Sequence, residues 1–140
     1  MFFISHYRKK HIFLPSKIEQ RGLIHTIIQI KDKKLSVLNT HLGLSSKERA
    51  KQFNVINEYI ESIEQPYILA GDLNTTNPKL NSNYLIDTGK EMNKENLSTF
   101  MLLNKRIDYI FTSKELEVLK YDVYPVYMSD HYPVFVQLKL

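Results

Sequence analysis

The chain has 140 residues, a net charge of +4 and no cysteine. A single domain of this length can bury a hydrophobic core, and the composition excludes disulfides and thiolate metal sites. No apolar run approaches the roughly 18 residues of a membrane span. The first ten residues are apolar and then basic, the reverse of a signal peptide, so the expected location is the cytoplasm.

Positive charge is concentrated in the first half of the chain. Residues 1–70 contain 11 Lys and Arg against 6 Asp and Glu, a balance of +5. Residues 71–140 contain 8 against 9, a balance of −1. A basic half favours an anionic partner such as nucleic acid or phospholipid. A Lys-rich solvated surface is the alternative interpretation of the same charges.

The first half of the sequence predicts two strands and a helix. GLIHTIIQI (22–30) and KLSVLNTHL (34–42) are separated by KDKK and form a predicted hairpin. The segment 45–65 follows as a helix, because its apolar residues recur at spacings of three and four. Ser45 and Glu48 have the spacing of a capping box, and the proline after this segment ends the helix.

The second half predicts further strands around a long loop. YILA (67–70) is a short buried strand, and residues 77–98 form a predicted loop with one short helix near 83–87. The remaining strands are predicted at 106–113, within 116–127 and at 132–140. Five to seven strands with one main helix predict a sheet-rich α/β chain.

Six polar residues lie at or near the ends of predicted strands, where a rigid scaffold presents catalytic groups. They are His41, Asp72, Asn74, Asp108, Asp130 and His131. Hard divalent cations such as Mg²⁺ take oxygen ligands, which makes Asp72, Asn74 and Asp130 candidate metal ligands. Taken singly, an Asp-x-Asn pair after a glycine is usually a turn, and a single histidine at a strand end is more often structural.

The other three residues suit phosphate binding and proton transfer. His41 and His131 can donate to phosphate oxygens or move protons near neutral pH. Asp108 lies in an apolar strand, where an unpaired carboxylate is costly. A histidine beside it would meet that need, and the carboxylate would orient the imidazole as a triad acid does. Together the six residues favour a metal-assisted hydrolase.

Four short blocks contain all six residues: LNTHL (38–42), ILAGDLN (68–74), RIDYIF (106–111) and SDHYPV (129–134). In this order they resemble the motifs of the endonuclease/exonuclease/phosphatase superfamily, the DNase I-like phosphoesterases. The match covers about residues 19–140, and EQRG (19–22) resembles the bacterial branch. The resemblance implies a DNase I-like four-layer sandwich, with two mostly antiparallel sheets face to face and helices outside. Residues 1–140 would form a single partial domain, incomplete at its amino-terminal side.

The resemblance also implies catalytic roles. Asp72, with Asn74 beside it, would orient and deprotonate the attacking water. His131 would bind the scissile phosphate and assist proton transfer, and Asp108 would hold its imidazole. The implied reaction is phosphoester hydrolysis by a metal-assisted water.

Two further residues and the cofactor complete this implied site. Asp130 would help to bind Mg²⁺, directly or through water, and His41 would contact the phosphate or help the leaving group. Mn²⁺ is the alternative ion. The implied substrate is a phosphodiester or phosphomonoester in a nucleic acid, a phospholipid or a small phosphate compound. A non-catalytic remnant that binds phosphate-bearing ligands or a protein partner is the alternative function.

No part of this sequence resembles the first strands of the family. The Glu that is the family's chief Mg²⁺ ligand has no counterpart either. We therefore expect weak or no activity from this chain alone, since one or two carboxylates hold most of such an ion. A sheet that lacks strands has an open edge or an exposed apolar face. Self-association, or pairing with a separate amino-terminal segment, is the expected consequence.

Overall fold

The computed structural model describes residues 4–64 and 66–140, with the side chains of residues 8–64 and 66–140. The elements in this part of the chain are β1 (Ile4–Leu14), β2 (Arg21–Ile30), β3 (Lys33–His41), α1 (Ser46–Glu61), β4 (Tyr67–Asp72), β5 (Ile86–Asp87), α2 (Thr88–Glu91), β6 (Asp108–Thr112), β7 (Glu117–Val123) and β8 (Val134–Lys139). No helix among these residues is long and apolar enough to cross a membrane.

The strands form two sheets. Six of them lie in the order β1-β2-β3-β4-β6-β5, and β7 pairs with β8 in a second sheet. Strands β3 and β4 are parallel, joined by the crossover helix α1, and the other pairs are antiparallel. The predicted hairpin, the predicted strand after the helix and the mostly antiparallel two-sheet architecture are confirmed.

Helix α1 packs its apolar stripe onto the six-stranded sheet. Phe53, Ile56 and Ile60 are buried in one cluster with Leu38 of β3 and Leu69 of β4. Burying a side chain of this size contributes about 1.5–3 kcal/mol. The stripe predicted from sequence spacing is therefore the contact that holds the crossover helix on the sheet.

The predicted capping box at the start of α1 is wrong. Ser45 is the N-cap residue, but its side chain makes no capping hydrogen bond. The Glu48 carboxylate instead accepts the backbone N–H of Lys17 at 2.9 Å, in the connection between β1 and β2. The helix also ends at Glu61 and not at residue 65. Glu48 therefore links helix α1 to the β1–β2 connection, because Lys17 in that connection has a backbone N–H to donate.

The first strand was not predicted from the sequence. Residues 4–14 include three consecutive basic residues and show no clean alternation, yet they pair antiparallel with β2 along its length. The strand forms because β2 offers an unpaired edge to complete. Its exposed Arg8, Lys9 and Lys10 place charge on the outer edge of the sheet, which discourages pairing between molecules.

The short helix predicted near 83–87 is also wrong. Residues Ile86 and Asp87 form the edge strand β5, and a one-turn helix follows at Thr88–Glu91. The Asp87 carboxylate caps that helix by accepting the backbone N–H groups of Gly89 and Lys90. With Asp87 as its cap, the helix begins at Thr88, five residues later than the predicted start at residue 83.

The second sheet is open, as expected for a sandwich that lacks strands. Among the described residues it contains two strands, and no residue of β8 is fully buried. Leu119 of β7 and Phe135 of β8 each expose 42% of their surface. Self-association through this sheet remains a prediction.

Replacing Gly71 with Ala is expected to lower the free energy of unfolding by about 3 kcal/mol or more. Gly71 has φ of 149°, and a Cβ there would lie 1.8 Å from the carbonyl oxygen of Thr40 on the parallel neighbour β3. Urea denaturation measures the effect. Gly43→Ala is the control, because the nearest atom to its added Cβ is the flexible end of Glu48. Equal transition midpoints for the two variants would contradict this account of Gly71.

Candidate active site

Three of the predicted site residues form one row across adjacent strands. His41 ends β3 and pairs with Asp72 at the end of β4, and Asp72 pairs with Asp108 at the start of β6. Neighbouring strands lie about 4.8 Å apart, so this register places the three side chains at one edge of the sheet. The parallel crossover through α1 aligns the ends of β3 and β4.

Asp72 lies at the centre of this row. Its Oδ1 accepts the backbone N–H of Asn74 at 2.8 Å. Its Oδ2 lies 3.4 Å from Nε2 of His41 and 3.9 Å from Nε2 of His131. Burial, together with the charge of Asp108, raises the pKa of Asp72 above its usual 3.8, against the opposing effects of the Asn74 N–H and the two histidines.

The Asp-x-Asn pair forms a turn, as the alternative interpretation of this motif predicted. Asn74 has a positive φ of 51°, and its amide Nδ2 donates to the carbonyl oxygen of Leu42 at 2.8 Å. The Asp72–Asn74 hydrogen bond makes the segment an Asx turn. The turn holds Asp72 at the end of its strand, with Oδ2 directed towards the histidines.

His131 lies beside Asp108. Its Nδ1 is 2.9 Å from Oδ2 and 3.1 Å from Oδ1 of that carboxylate. Burial lowers the pKa of His131, but the hydrogen bond and charge of Asp108, with the charges of Asp72 and Asp130, outweigh burial and raise it above 6.5. The imidazole therefore keeps its proton at higher pH than a free histidine does.

A cleft of about 620 Å³ opens in front of these groups. Five of the six predicted residues line it: His41, Asp72, Asn74, Asp130 and His131. Asp108 lies outside this lining and borders an adjoining cavity of about 220 Å³. Arg21, Arg49 and Lys105 also line the cleft, so cationic side chains surround a place where an anion would bind.

Two carboxylates and a histidine lie close enough to share a cation. The ligating atoms of Asp72, Asp108 and His131 all lie within 4.8 Å of one another. Carboxylate oxygens suit a hard divalent cation, and a positive ion would oppose both the burial and the charge of Asp108 that raise the pKa of Asp72. The donor set therefore fits Mg²⁺ or Mn²⁺.

Asp130 lies apart from this cluster. Its side chain is exposed at the cleft wall, where Ser129 Oγ lies 3.3 Å from its Oδ1. The cluster therefore differs from the predicted metal set of Asp72, Asn74 and Asp130. Asp108, which the sequence assigned to the histidine alone, has an oxygen among the clustered ligating atoms.

Sequence reasoning missed two residues that contact the Asp108–His131 pair. The hydroxyl of Thr99 donates to Oδ2 of Asp108 at 2.7 Å. The ring of Phe100 lies 4.9 Å from the ring of His131, centre to centre. The one available signal was that STFM (98–101) stands where many members of the resembled family have Thr-Phe-Pro.

Comparisons with known proteins agree with this fold. A family model described as "Endonuclease/Exonuclease/phosphatase family" matches residues 3–131. The match therefore begins earlier than the expected residue 19 and includes all of β1. A search of curated protein sequences found no significant match.

Solved structures extend the comparison. A humanized form of D. rerio TDP2 superposes with a TM-score of 0.84 at 19% identity, over 98% of this chain and 68% of that chain. A Bacteroides thetaiotaomicron mannosyl-6-phosphatase gives 0.79 at 22% identity, over 98% of this chain and 67% of that chain. The human Nocturnin catalytic domain, with bound sulfate, gives 0.76 at 18% identity, over 97% of this chain and 60% of that chain.

Structural similarity at 18–22% sequence identity shows the fold alone. They identify the mixed sheets as the DNase I-like sandwich, here with its second sheet open. The family match, which spans most of the sequence, is what assigns the lineage. The chain belongs to the Endonuclease/Exonuclease/phosphatase family.

Proposed function

We propose that the cleft is the site of a Mg²⁺-dependent phosphoesterase that hydrolyses phosphodiesters or phosphomonoesters with an activated water. The observation that carries this proposal is the row of His41, Asp72 and Asp108, with His131 hydrogen-bonded to Asp108. These residues offer a base, a cationic donor and carboxylate ligands, at or next to one cleft that Arg21, Arg49 and Lys105 also line. Phosphoryl transfer requires this kind of positioning and charge stabilisation.

Asp72 is the proposed general base. Its Oδ1 is occupied by the Asn74 N–H, which directs Oδ2 towards the place where a water would attack. Its raised pKa brings the carboxylate closer to the basicity that proton abstraction needs. Asn74 orients the base and, through its side-chain oxygen, is a proposed metal ligand.

The two histidines are the proposed phosphate-binding groups. His131 donates from Nε2 to a non-bridging oxygen and assists proton transfer, while Asp108 holds its Nδ1. His41, with Nε2 3.4 Å from Asp72 Oδ2, contacts the phosphate or protonates the leaving group from the other side of the base. A cationic imidazole stabilises charge that develops on the phosphoryl oxygens.

Asp72, Asn74 and Asp130 would hold Mg²⁺, with Asp108 adjoining them, and Mn²⁺ is the alternative ion. When bound, the cation supplies Lewis-acid stabilisation of the phosphoryl oxygens. Asp130 is exposed at the cleft wall, which suits a ligand that acts through water.

The proposed substrate is a phosphoester in a nucleic acid, with a phospholipid or small phosphate compound as the alternative. The balance of +5 in residues 1–70 and the cationic cleft lining support an anionic polymer. One of the similar structures is D. rerio TDP2 in complex with a single-strand DNA product, and another is a mannosyl-6-phosphatase.

A non-catalytic phosphate-binding protein is the second candidate. The chain spans 60–68% of the three solved structures compared above. The second candidate is favoured because the resemblance identifies no counterpart of the family's chief Mg²⁺ ligand. We therefore propose that hydrolysis by this chain alone is slow. The open β7–β8 sheet supports self-association, or pairing with a further segment, as a way to complete the site.

Mn²⁺ added to ¹⁵N-labelled protein is expected to broaden the backbone amide signals of Asp72, Asn74 and His131 first. Paramagnetic broadening falls steeply with distance, so it locates the ion, and excess Mg²⁺ should reverse it. Asp72→Asn should weaken the apparent affinity about tenfold or more, since carboxylates hold most of such an ion. Asp32→Asn is the matched control, because Asp32 lies in the β2–β3 turn, at the other end of β3 from His41. Broadening that spares the cleft would contradict the metal assignment.

A further inference from the structure

The loop between α2 and β6 contacts the segment that carries His131 and lies against Asp108. Phe100 forms isolated bridges with Lys105, within the loop, and with His131, which precedes β8. The backbone N–H of Met101 donates to the carbonyl oxygen of Asp130 at 2.9 Å, and that of Tyr132 donates to the carbonyl oxygen of Thr99 at 2.8 Å. The loop is therefore fixed to the segment that carries His131.

Thr99 is fully buried in this loop and bonds to Asp108 in two ways. Its hydroxyl donates to Asp108 Oδ2 at 2.7 Å. The same oxygen accepts the backbone N–H groups of Ile107 and Asp108, both at 3.0 Å. One side chain thus holds both the carboxylate and the backbone that carries it. Because the Thr99 oxygen already accepts two hydrogen bonds, its own proton has one orientation, towards Asp108.

The carboxylate held in this way determines the state of His131. Asp108 Oδ2 accepts from both Thr99 Oγ1 and His131 Nδ1. With Nδ1–H committed to Asp108, Nε2 faces Asp72 and the cleft, and it carries a proton in the imidazolium and a lone pair in the neutral ring. Phe100 packs at a ring-centre distance of 4.9 Å, with a tilt of 47°, and limits rotation of the imidazole.

We propose that Thr99 is a positioning residue, whose hydroxyl fixes Asp108 and thereby the orientation and Nδ1–H tautomer of His131. The inference rests on the proposed function for its catalytic meaning, but its structural content stands without it. Thr99 itself does not line the cleft, so its side chain acts through Asp108. Catalytic side chains need such support to hold a productive geometry.

The test is the tautomer of His131 in the metal-free protein, read from the ¹⁵N chemical shifts of its ring at pH 9. In the wild type we expect Nδ1 to carry the proton. Thr99→Val keeps the shape but removes the hydroxyl, and we expect a mixture of the two tautomers. Thr99→Ser keeps the hydroxyl and should restore the wild-type spectrum. Ser98→Ala is the control, because Ser98 Oγ donates to the carbonyl oxygens of Phe100 and Lys105 and not to Asp108.

In hydrolysis assays, Thr99→Val should lower kcat about 10- to 100-fold and leave KM within about twofold, since a positioning residue affects the reacting geometry more than binding.

A folded Thr99→Val protein with the wild-type tautomer would overturn the proposal. If that variant fails to fold, the hydroxyl proton of Thr99 in the wild-type protein tests the proposal instead. That proton should exchange slowly and show nuclear Overhauser effects to the amide protons of Ile107 and Asp108. A hydroxyl proton in fast exchange would also overturn it. These spectra need no substrate, so an inactive wild type would refute the proposed function and leave this inference intact.

Discussion

Replacing Asp72 with Asn is expected to reduce phosphodiester hydrolysis by about 1,000-fold. The variant removes the proposed general base, a role that typically contributes about 10²–10⁴-fold, together with a charge that would hold the metal. Asn keeps the shape of the side chain, and its oxygen can still accept the Asn74 N–H. The fold should therefore survive while the chemistry is lost. Initial rates with bis(4-nitrophenyl) phosphate in Mg²⁺ measure the effect.

The matched control for this variant is Asp32→Asn. It makes the same chemical change at an exposed aspartate in the β2–β3 turn, and its rate should equal that of the wild type. A rate for Asp72→Asn within about threefold of the control, in a folded protein, would remove Asp72 from the catalytic assignment.

Replacing His131 with Gln is expected to reduce the same rate by about 100- to 1,000-fold, because the variant loses a cationic donor and a proton-transfer group. Gln can still hydrogen-bond but does not titrate. The pH profile of the wild type carries a further signature. In the proposed mechanism the protonated His131 would bind the phosphate, so activity should fall as pH rises through its pKa, which Asp108 raises above 6.5.

Asp108→Asn should move this alkaline limb to lower pH. The substitution removes the negative charge that raises the pKa of His131, so the imidazole loses its proton earlier as pH rises. His131→Gln should abolish the limb altogether. A limb that stays in place in both variants would assign the titration to another group.

The parts of the fold that the sequence predicted are those with local signals. Helix α1 has its apolar residues on one stripe, and β2 and β3 have β-rich composition on both sides of a polar turn. The edge strand β1 has no such pattern, because a run of basic residues interrupts it. It becomes a strand through pairing with β2, a tertiary effect that local propensity does not contain.

The site residues were predicted as types, and their arrangement was not. The pairing of His41 with Asp72, and of Asp72 with Asp108, depends on non-local registers between β3, β4 and β6. Residue spacing along the chain carries no information on register across a parallel crossover. The order of the four blocks that resemble the family indicated that these residues belong to one site, which the spacing alone did not indicate.

Thr99 shows why the support of a site is harder to predict than the site itself. A threonine in a polar loop is ordinary, and its sequence neighbours Ser98 and Phe100 carry no charge. It matters because the loop folds back and buries the hydroxyl against Asp108, nine residues later. Similarly, Glu48 had capping-box spacing but bonds to Lys17 instead. Both roles follow from tertiary contacts that compete with the local pattern.

We expect the cleft to hydrolyse phosphoesters with a divalent cation. The initial rate of bis(4-nitrophenyl) phosphate hydrolysis by the purified protein, measured in Mg²⁺ and in EDTA with Asp72→Asn in parallel, tests this. The expected result is slow hydrolysis, above the rate in buffer alone, that requires Mg²⁺ and is lost in the variant. A rate equal to buffer in Mg²⁺, or one that EDTA and Asp72→Asn leave unchanged, would contradict it.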